Sequence, residues 1–318
     1  MKVCVLQPDY STTGVDYKNW DPPRNLAPLI PEHEVHHVFL NKLTTYKQLK
    51  ELSRQGFDIF VNLCEGYPEW EVPGVDVCFC LESLNLPFTG PTTKLYDVPK
   101  ELMKYIAWCE GITTPGFVLV NEQKDLDEAV RLLRFPLFVK PAHAGDSLGV
   151  DENSLVNNKE ELIKKTNSIL KEYAPLLAEE YIAGREFTVL VAGNPDGKSC
   201  TVFKPVEYLF PEGKAFKTYS LKTSELHPEC NVPCNDDEID RQLRFAAEKI
   251  FKAANAVGYG RLDFRVNDKR EIYFLEMNLT CSVFYKDGYE GSADFILKYD
   301  GIGQAGFPGN VFAVHQPR

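Results

Sequence analysis

The most regular pattern of hydrophobic and polar positions lies in residues 261–278, where two alternating runs flank a polar tip at Lys269 and Arg270. Alternation with a period of two is typical of β-strands, so the pattern predicts a β-hairpin. The apolar face of this hairpin would pair Leu262 with Met277, Phe264 with Leu275, and Val266 with Tyr273. The other face would pair Arg261 with Asn278, Asp263 with Glu276, and Arg265 with Phe274.

The predicted pairing places the carboxylates of Asp263 and Glu276 directly across two strands. Facing carboxylates repel each other by up to about 1 kcal/mol. A divalent cation would make the same pair favourable, because Mg²⁺ is held by one or two carboxylates together with substrate phosphates. A solvated hairpin face is the alternative interpretation of this pattern.

The first 95 residues alternate between strand and helix patterns. Apolar runs predict strands at residues 3–6, 35–40 and 58–64, and helices at residues 46–55 and 74–84. This alternation predicts a small α/β domain with parallel strands, whose ligands bind at the carboxyl ends of the strands.

A second group of elements surrounds an apolar strand that ends at Lys140 and runs into a glycine-bearing loop. A lysine at a strand end followed by small residues suits a phosphate, because backbone N–H groups can approach it closely. An ordinary turn is the alternative. The neighbouring patterns predict helices at residues 100–109, 122–133 and 157–173, a strand at 117–120, and two strands within 177–191 that are separated by Gly184.

In the last third of the chain, clear strand and helix patterns alternate with long stretches that have no regular pattern. Residues 199–206 read as one strand, and residues 237–257 form a clear amphipathic helix pattern. The polar stretch 207–233 between them is long enough to be either a functional lid or a disordered loop. From residue 285 onward the chain reads as a loop with one short hydrophobic stretch at 293–297.

Composition and charge exclude several classes of protein. The 318 residues are 44% hydrophobic and carry a net charge of −11. An acidic chain without a basic cluster argues against a nucleic acid or an anionic membrane as partner. The sequence lacks an apolar run long enough for a membrane span, and its first residues read as a strand and not as a secretory signal. Nine cysteines without regular spacing then indicate reduced thiols and a cytoplasmic protein.

One short cluster, His227, Cys230 and Cys234, resembles part of a zinc site. A second pair of cysteines or histidines at a usable distance is missing from the sequence, so structural zinc is disfavoured.

Four motifs follow one another along the chain: Lys140 with its glycine loop, Glu179-Glu-Tyr-Ile182 with Glu186, Gly260-Arg-Leu-Asp263, and Glu276-Met-Asn278. Their order resembles the ATP-grasp ligases, and among them most closely the D-alanine–D-alanine ligase family. The resemblance is specific over residues 97–284 and weaker before them. It implies an α/β protein with α+β lobes. These lobes would form an ATP-grasp fold, and a small Rossmann-like domain would precede them. The implied domains are 1–95 before the ATP-grasp fold, 96–178 as its central lobe, and 179–318 as its carboxyl-terminal lobe.

The resemblance also implies roles for individual residues in binding ATP. Lys100 and Lys140 would contact phosphates, and Lys222 would close over them from the long loop. Glu179, with the backbone of Glu180 and Ile182, would bind adenine. Glu186 would accept the ribose hydroxyls.

The implied chemistry is phosphoryl transfer to a carboxylate, followed by attack of an amine on the acyl phosphate. Asp263, Glu276 and Asn278 would hold Mg²⁺, with Mn²⁺ as an alternative metal. Arg261 would stabilise the charge that develops on the acyl phosphate, and Asp146 and Ser147 of the glycine loop would also lie at the reacting groups.

The sequence departs from the family where the amino-acid substrates would bind. The loop at residues 7–14 lacks the glutamate that anchors the donor ammonium in the family, Asp146 replaces a serine, and Thr223 replaces an aromatic residue. Residues 279–292 also lack the family's usual acceptor-binding turn. The resemblance and these departures together predict an ATP-dependent carboxylate–amine ligase for small-molecule substrates other than D-alanine, and they allow a homodimer. A non-catalytic nucleotide-binding module and a true D-alanine–D-alanine ligase are the alternatives.

Overall fold

The computed structural model describes residues 1–14, 21–143, 148–194, 198–216 and 228–312. The strands described there form three sheets. No helix among these residues is both long and apolar enough to cross a membrane.

The first sheet has three parallel strands in the order β2-β1-β3. Its elements are β1 (Lys2–Pro8), β2 (Glu34–Leu40), α1 (Thr45–Leu52), β3 (Ile59–Asn62) and α2 (Val75–Ser83). Both faces of β1 are buried: Val3 and Val5 pack into one core, whereas Cys4 and Leu6 pack into another. The predicted parallel α/β arrangement of this segment is therefore confirmed.

The second sheet is antiparallel, with the order β4-β7-β5-β6. After α3 (Lys100–Cys109), its elements are β4 (Phe117–Val120), α4 (Asp125–Leu132), β5 (Leu137–Pro141), β6 (Leu155–Val156), α5 (Lys159–Tyr173) and β7 (Leu176–Glu180). The apolar sides of α4 and α5 close a separate core around Leu137, Val139 and Ala178.

The third sheet has the strand order β11-β10-β8-β12-β13, and β9 pairs with β8. Its strands are β8 (Arg185–Gly193), β9 (Cys200–Val202), β10 (Val206–Tyr208), β11 (Asn231–Pro233), β12 (Tyr259–Val266) and β13 (Ile272–Asn278). The helices that pack on it are α3, α6 (Asp237–Ala253), α7 (Ser292–Asp300) and α8 (Gly303–Val311).

The third sheet shares a core with the first. Leu190 of β8 and Tyr259 of β12 pack together with Val3, Val5 and Val61 of the parallel sheet. On the opposite face, Met103 and Ala107 of α3 pack with the third sheet and α6. The domain boundaries at 95/96 and 178/179 remain predictions; the second of them falls inside β7, which continues to Glu180.

Two predicted elements are wrong. Residues 199–206 form two short strands, β9 and β10, because the chain leaves the sheet between Val202 and Val206. The segment after residue 285 is not a loop but contains α7 and α8, which bury Ile296, Leu297 and Phe307. Gly301, in the left-handed conformation at φ 89°, ends α7.

The predicted hairpin exists, but only half of its register is correct. Arg261 pairs with Asn278, Leu262 with Met277, and Asp263 with Glu276, as predicted. Beyond them a β-bulge shifts the register, so Phe264, Arg265 and Val266 pair with Phe274, Tyr273 and Ile272. Leu275 is the extra residue of β13 at the bulge.

Candidate active site

A row of charged side chains lies where α3, β5 and β13 meet. Lys100, on the first turn of α3, and Lys140, near the end of β5, each place Nζ 3.9 Å from Oε2 of Glu276 on β13. The side chains of the two lysines are only 11% and 10% exposed. The structure thus brings together both predicted phosphate-binding lysines and one predicted metal ligand.

Glu179 lies deeper behind this row, between two lysines. Its Oε1 is 2.7 Å from Nζ of Lys140, and its Oε2 is 2.7 Å from Nζ of Lys104. Both carboxylate oxygens therefore face an ammonium group. The predicted role of Glu179 in binding adenine remains a prediction.

Lys104 was missed by the sequence analysis. It lies one helical turn after Lys100 on α3, and its side chain is 0% exposed. The spacing of four residues is the only signal that could have placed both lysines on the same side of the helix. A lysine in a helix is more often exposed to solvent, so that signal alone is weak.

The buried charges shift one another's pKa values. Burial raises the pKa of Glu179, but Lys104 and Lys140 lower it more, so the carboxylate is stabilised as an anion. Burial lowers the pKa of Lys140, yet Glu179 and Glu276 raise it above its ordinary value. For Lys104 burial outweighs the attraction of Glu179, and its pKa is lowered.

The predicted metal ligands lie on neighbouring strands beside the lysines. Asp263 on β12 faces Glu276 on β13, and the guanidinium of Arg261 lies 3.1 Å from Oδ1 of Asp263. Asn278 Oδ1 accepts a hydrogen bond of 3.0 Å from the N–H of Thr280. The described residues include no group of three or more histidine, cysteine and acidic side chains able to hold a metal on its own. Two carboxylates and an amide oxygen nevertheless fit Mg²⁺, which takes its remaining ligands from phosphates and water.

Glu186, which is predicted to accept the ribose hydroxyls, is paired with an arginine of β12. Nη2 of Arg265 on β12 lies 2.9 Å from Oε2 of Glu186 and donates a 2.7 Å hydrogen bond to the carbonyl of Ala215. The guanidinium also lies over the ring of Tyr181, 5.2 Å from its centroid. The Glu180 side chain points elsewhere, accepting a hydrogen bond from the N–H of Arg134.

A second polar cluster lies where the first sheet meets the segment after β13. Arg24 is almost fully buried, with Nη2 3.2 Å from Oδ1 of Asp21 and Nη1 3.4 Å from Oε1 of Glu65. Ser282 donates a 2.6 Å hydrogen bond to Glu65, and Tyr285 donates one of 2.5 Å to Asp21. This amino-terminal cluster carries two carboxylates and one guanidinium, a formal charge of −1.

The amino-terminal cluster adjoins strands β12 and β13, which carry the predicted metal ligands. Cys281, next to Ser282, lies close enough to both Arg261 and Glu65 for their charges to influence its thiol. Glu65 follows β3 and lines a small cleft together with Asn62, Tyr259 and Thr280. Asp21 and Arg24 were not predicted from the sequence, because their partners lie far away along the chain: Glu65 is 41 residues after Arg24, and Tyr285 is 264 residues after Asp21.

Several predicted residues lie outside the described part of the chain. They are Asp146, Ser147, Lys222 and His227. Of the cysteines grouped with His227, Cys234 is buried, and its Sγ lies 3.5 Å from the carbonyl oxygen of Asp236.

The chain is similar in sequence to D-alanine–D-alanine ligases. The family described as "D-ala D-ala ligase C-terminus" matches residues 109–283. The D-alanine–D-alanine ligase B of Chromobacterium violaceum is 30% identical over 236 residues, covering 73% of each chain. The D-alanine–D-alanine ligase of Bordetella petrii is 29% identical over 242 residues, covering 74% of this chain and 70% of its own.

Solved structures confirm the fold over almost the whole chain. The VanG D-Ala:D-Ser ligase from Enterococcus faecalis aligns with a TM-score of 0.70 at 18% identity, covering 98% of both chains. The D-alanine–D-alanine ligase from Bacillus anthracis, complexed with ATP, aligns with a TM-score of 0.65 at 19% identity, covering 98% of this chain and 96% of its own.

These matches confirm the predicted ATP-grasp fold, and ATP and Mg²⁺ are the cofactors of the matched enzymes. The chain belongs to the D-alanine–D-alanine ligase family, whose members are ATP-dependent ligases that form carbon–nitrogen bonds.

Proposed function

We propose that this protein joins a small carboxylate to an amine through an acyl phosphate, at the expense of ATP. The observation that carries the proposal is the convergence of Lys100, Lys140 and Glu276, with both ammonium groups 3.9 Å from one carboxylate oxygen. Such a site offers cations for phosphates and an anion for a metal, and phosphoryl transfer depends mainly on this positioning and charge.

Each group of residues has a distinct part in this proposal. Lys100 and Lys140 hold the phosphates, and Mg²⁺ held by Asp263, Glu276 and Asn278 neutralises charge on them. Arg261 lies beside Asp263, where its guanidinium stabilises the anionic acyl phosphate and the tetrahedral species formed by amine attack. Glu186 and the backbone of residues 180–182 bind the adenosine.

We further propose that the amino end of the substrate is bound by residues other than those of the family, and that the substrate is not D-alanine. The family's anchoring glutamate is missing from residues 7–14. The amino-terminal cluster has a formal charge of −1, and its Glu65 lines the small cleft beside Tyr259 and Thr280. A substrate ammonium would balance that charge, and a charge left unpaired in a closed site would cost several kcal/mol.

Asp146 is a second candidate for binding the substrate ammonium. It follows the phosphate-binding glycine loop in sequence, where its carboxylate would repel ATP unless a cation lies between them. We expect Asp146→Ser to raise the Michaelis constant of the amine substrate far more than that of ATP. An unchanged substrate constant would exclude this role and leave Glu65 as the candidate.

A true D-alanine–D-alanine ligase is the second candidate function. The sequence relatives named for that activity, at 29–30% identity, favour it. Release of ADP across a panel of amino acids, amines and carboxylates separates the two candidates. If no member of the panel causes release of ADP, the result would instead support a non-catalytic nucleotide-binding module.

A further inference from the structure

Lys104 has no part in the proposed chemistry, yet its position is unusual for a lysine. Its side chain is fully buried on α3, and its ammonium lies 2.7 Å from Glu179 Oε2. Burying a lysine and a carboxylate is costly even when they pair. A second lysine, Lys140, pairs with the other oxygen of the same carboxylate at 2.7 Å. The two lysines therefore share one anion.

The charge balance of the site depends on Lys104. Lys100, Lys104 and Lys140 carry three positive charges, whereas Glu179 and Glu276 carry two negative charges. The five side chains thus leave one positive charge in a poorly solvated place. Without Lys104 they would be neutral, and Lys140 would be the sole partner of Glu179.

We propose that Lys104 is a positioning residue for nucleotide binding: it shares the charge of Glu179, so that the ammonium of Lys140, although in contact with Glu179, keeps a net attraction for the phosphates. The proposal rests on the placement of the phosphates beside Lys140. Because a buried surplus charge is stabilised by an anion, the triphosphate completes the charge balance that Lys104 creates. Lys104 itself need not touch the nucleotide.

The proposal predicts that the loss of Lys104 weakens the binding of ligands that carry phosphates, and of those ligands alone. In Lys104→Met we expect the dissociation constant of Mg-ADP, measured by calorimetry, to rise at least tenfold. Adenosine has no phosphate, so its dissociation constant should change less than twofold. An equal loss for both ligands would mean that Lys104 only supports the fold of the adenosine site, and would overturn the proposal.

A double variant tests the charge balance directly. Glu179→Gln in the Lys104→Met background restores one surplus positive charge at Lys140 while keeping the shape of residue 179. We expect it to recover most of the lost affinity for Mg-ADP. A double variant that binds no better than Lys104→Met would contradict the proposal. If Lys104→Met does not fold, Lys104→Gln, which is also uncharged, takes its place in both experiments.

Two further variants complete the design. Lys42→Met removes a lysine that follows β2 and whose Nζ lies 2.8 Å from Asp76 on α2, and it should leave Mg-ADP binding unchanged. Lys140→Met should lose Mg-ADP affinity if the phosphates lie where we propose. Loss in Lys140→Met without loss in Lys104→Met would refute the role of Lys104 alone, whereas unchanged binding in Lys140→Met would refute the placement of the phosphates.

Discussion

Glu276 is the residue at which the proposed metal and phosphate sites meet, since it faces Asp263 across the strands and both lysines from the side. We expect Glu276→Ala to abolish turnover and to weaken ATP binding only when Mg²⁺ is present. The physical reason is that the carboxylate acts on ATP through the metal. Glu271→Ala, at the tip of the same hairpin, is the matched control and should retain activity. Full turnover in Glu276→Ala would exclude the metal assignment.

The buried carboxyl group of Asp294 makes the stability of the protein depend on pH. It accepts hydrogen bonds from the N–H groups of Phe284 and Gly291, at 2.8 and 3.1 Å, and so holds the segment after β13. Burial raises its pKa from 3.8 to about 6. Because the folded protein then binds the proton more tightly than the unfolded chain, the stabilising contribution is complete below pH 4 and is lost as the pH rises through 6.

The measurement is the free energy of unfolding of the wild type and of Asp294→Asn between pH 4 and 7. Relative to the variant, the wild type should lose up to about 3 kcal/mol over this interval. A constant difference between the two proteins would contradict the raised pKa.

At the scale of elements, Gly184 links the second sheet to the third. It joins β7 to β8 with φ 136°, and a Cβ there would lie 2.1 Å from the carbonyl oxygen of Val266. Since backbone cannot move aside easily, Gly184→Ala should destabilise the protein by at least about 2 kcal/mol. Gly56→Ala, also at positive φ but with open space around it, should cost about 1 kcal/mol. Denaturant titration of both variants checks the difference; equal losses would show that the contact with Val266 is unimportant.

The hairpin of β12 and β13 shows which part of a strand register can be predicted from the sequence pattern and which part cannot. Pairing Asp263 with Glu276 was predictable, because the bulge at Leu275 and a turn longer than the two-residue tip offset each other at that point. The turn depends on a hydrogen bond of 3.1 Å from the N–H of Asn267 to Glu271 and on Arg270 at φ 65°. Alternation alone contains no information about either feature, so the register beyond Asp263 was predicted wrongly.

The candidate site divides in the same way. Lys140 and the predicted metal ligands could be selected because each belongs to a short motif, and Lys100 could be selected through the resemblance to the family. Lys104, Asp21 and Arg24 could not, since their partners are set by how the three sheets pack. The helices α7 and α8 were missed because Gly301, Gly303 and Pro308 interrupt their apolar pattern.

Across the molecule as a whole, residues 207–216, the first part of the long stretch 207–233, extend from the third sheet towards the second. Lys214 Nζ lies 2.5 Å from Oε1 of Glu152, and the Phe216 ring packs 4.9 Å from that of Phe138. A segment that crosses between two lobes beside the nucleotide residues is suited to act as a lid. We expect Mg-ATP to slow proteolytic cleavage within it, with a cut site elsewhere in the chain as control. Equal cleavage rates with and without nucleotide would argue against a lid.

In the proposed function, the residues that would hold ATP match the family, whereas those that would bind the amino substrate differ from it. The most direct test is product formation by the wild-type protein with Mg-ATP and D-alanine as the only substrate. We expect little or no ADP and dipeptide under these conditions, and ADP release when another amine and carboxylate from the panel are supplied. Rapid synthesis of D-alanyl-D-alanine would contradict the altered specificity and identify the protein as a D-alanine–D-alanine ligase.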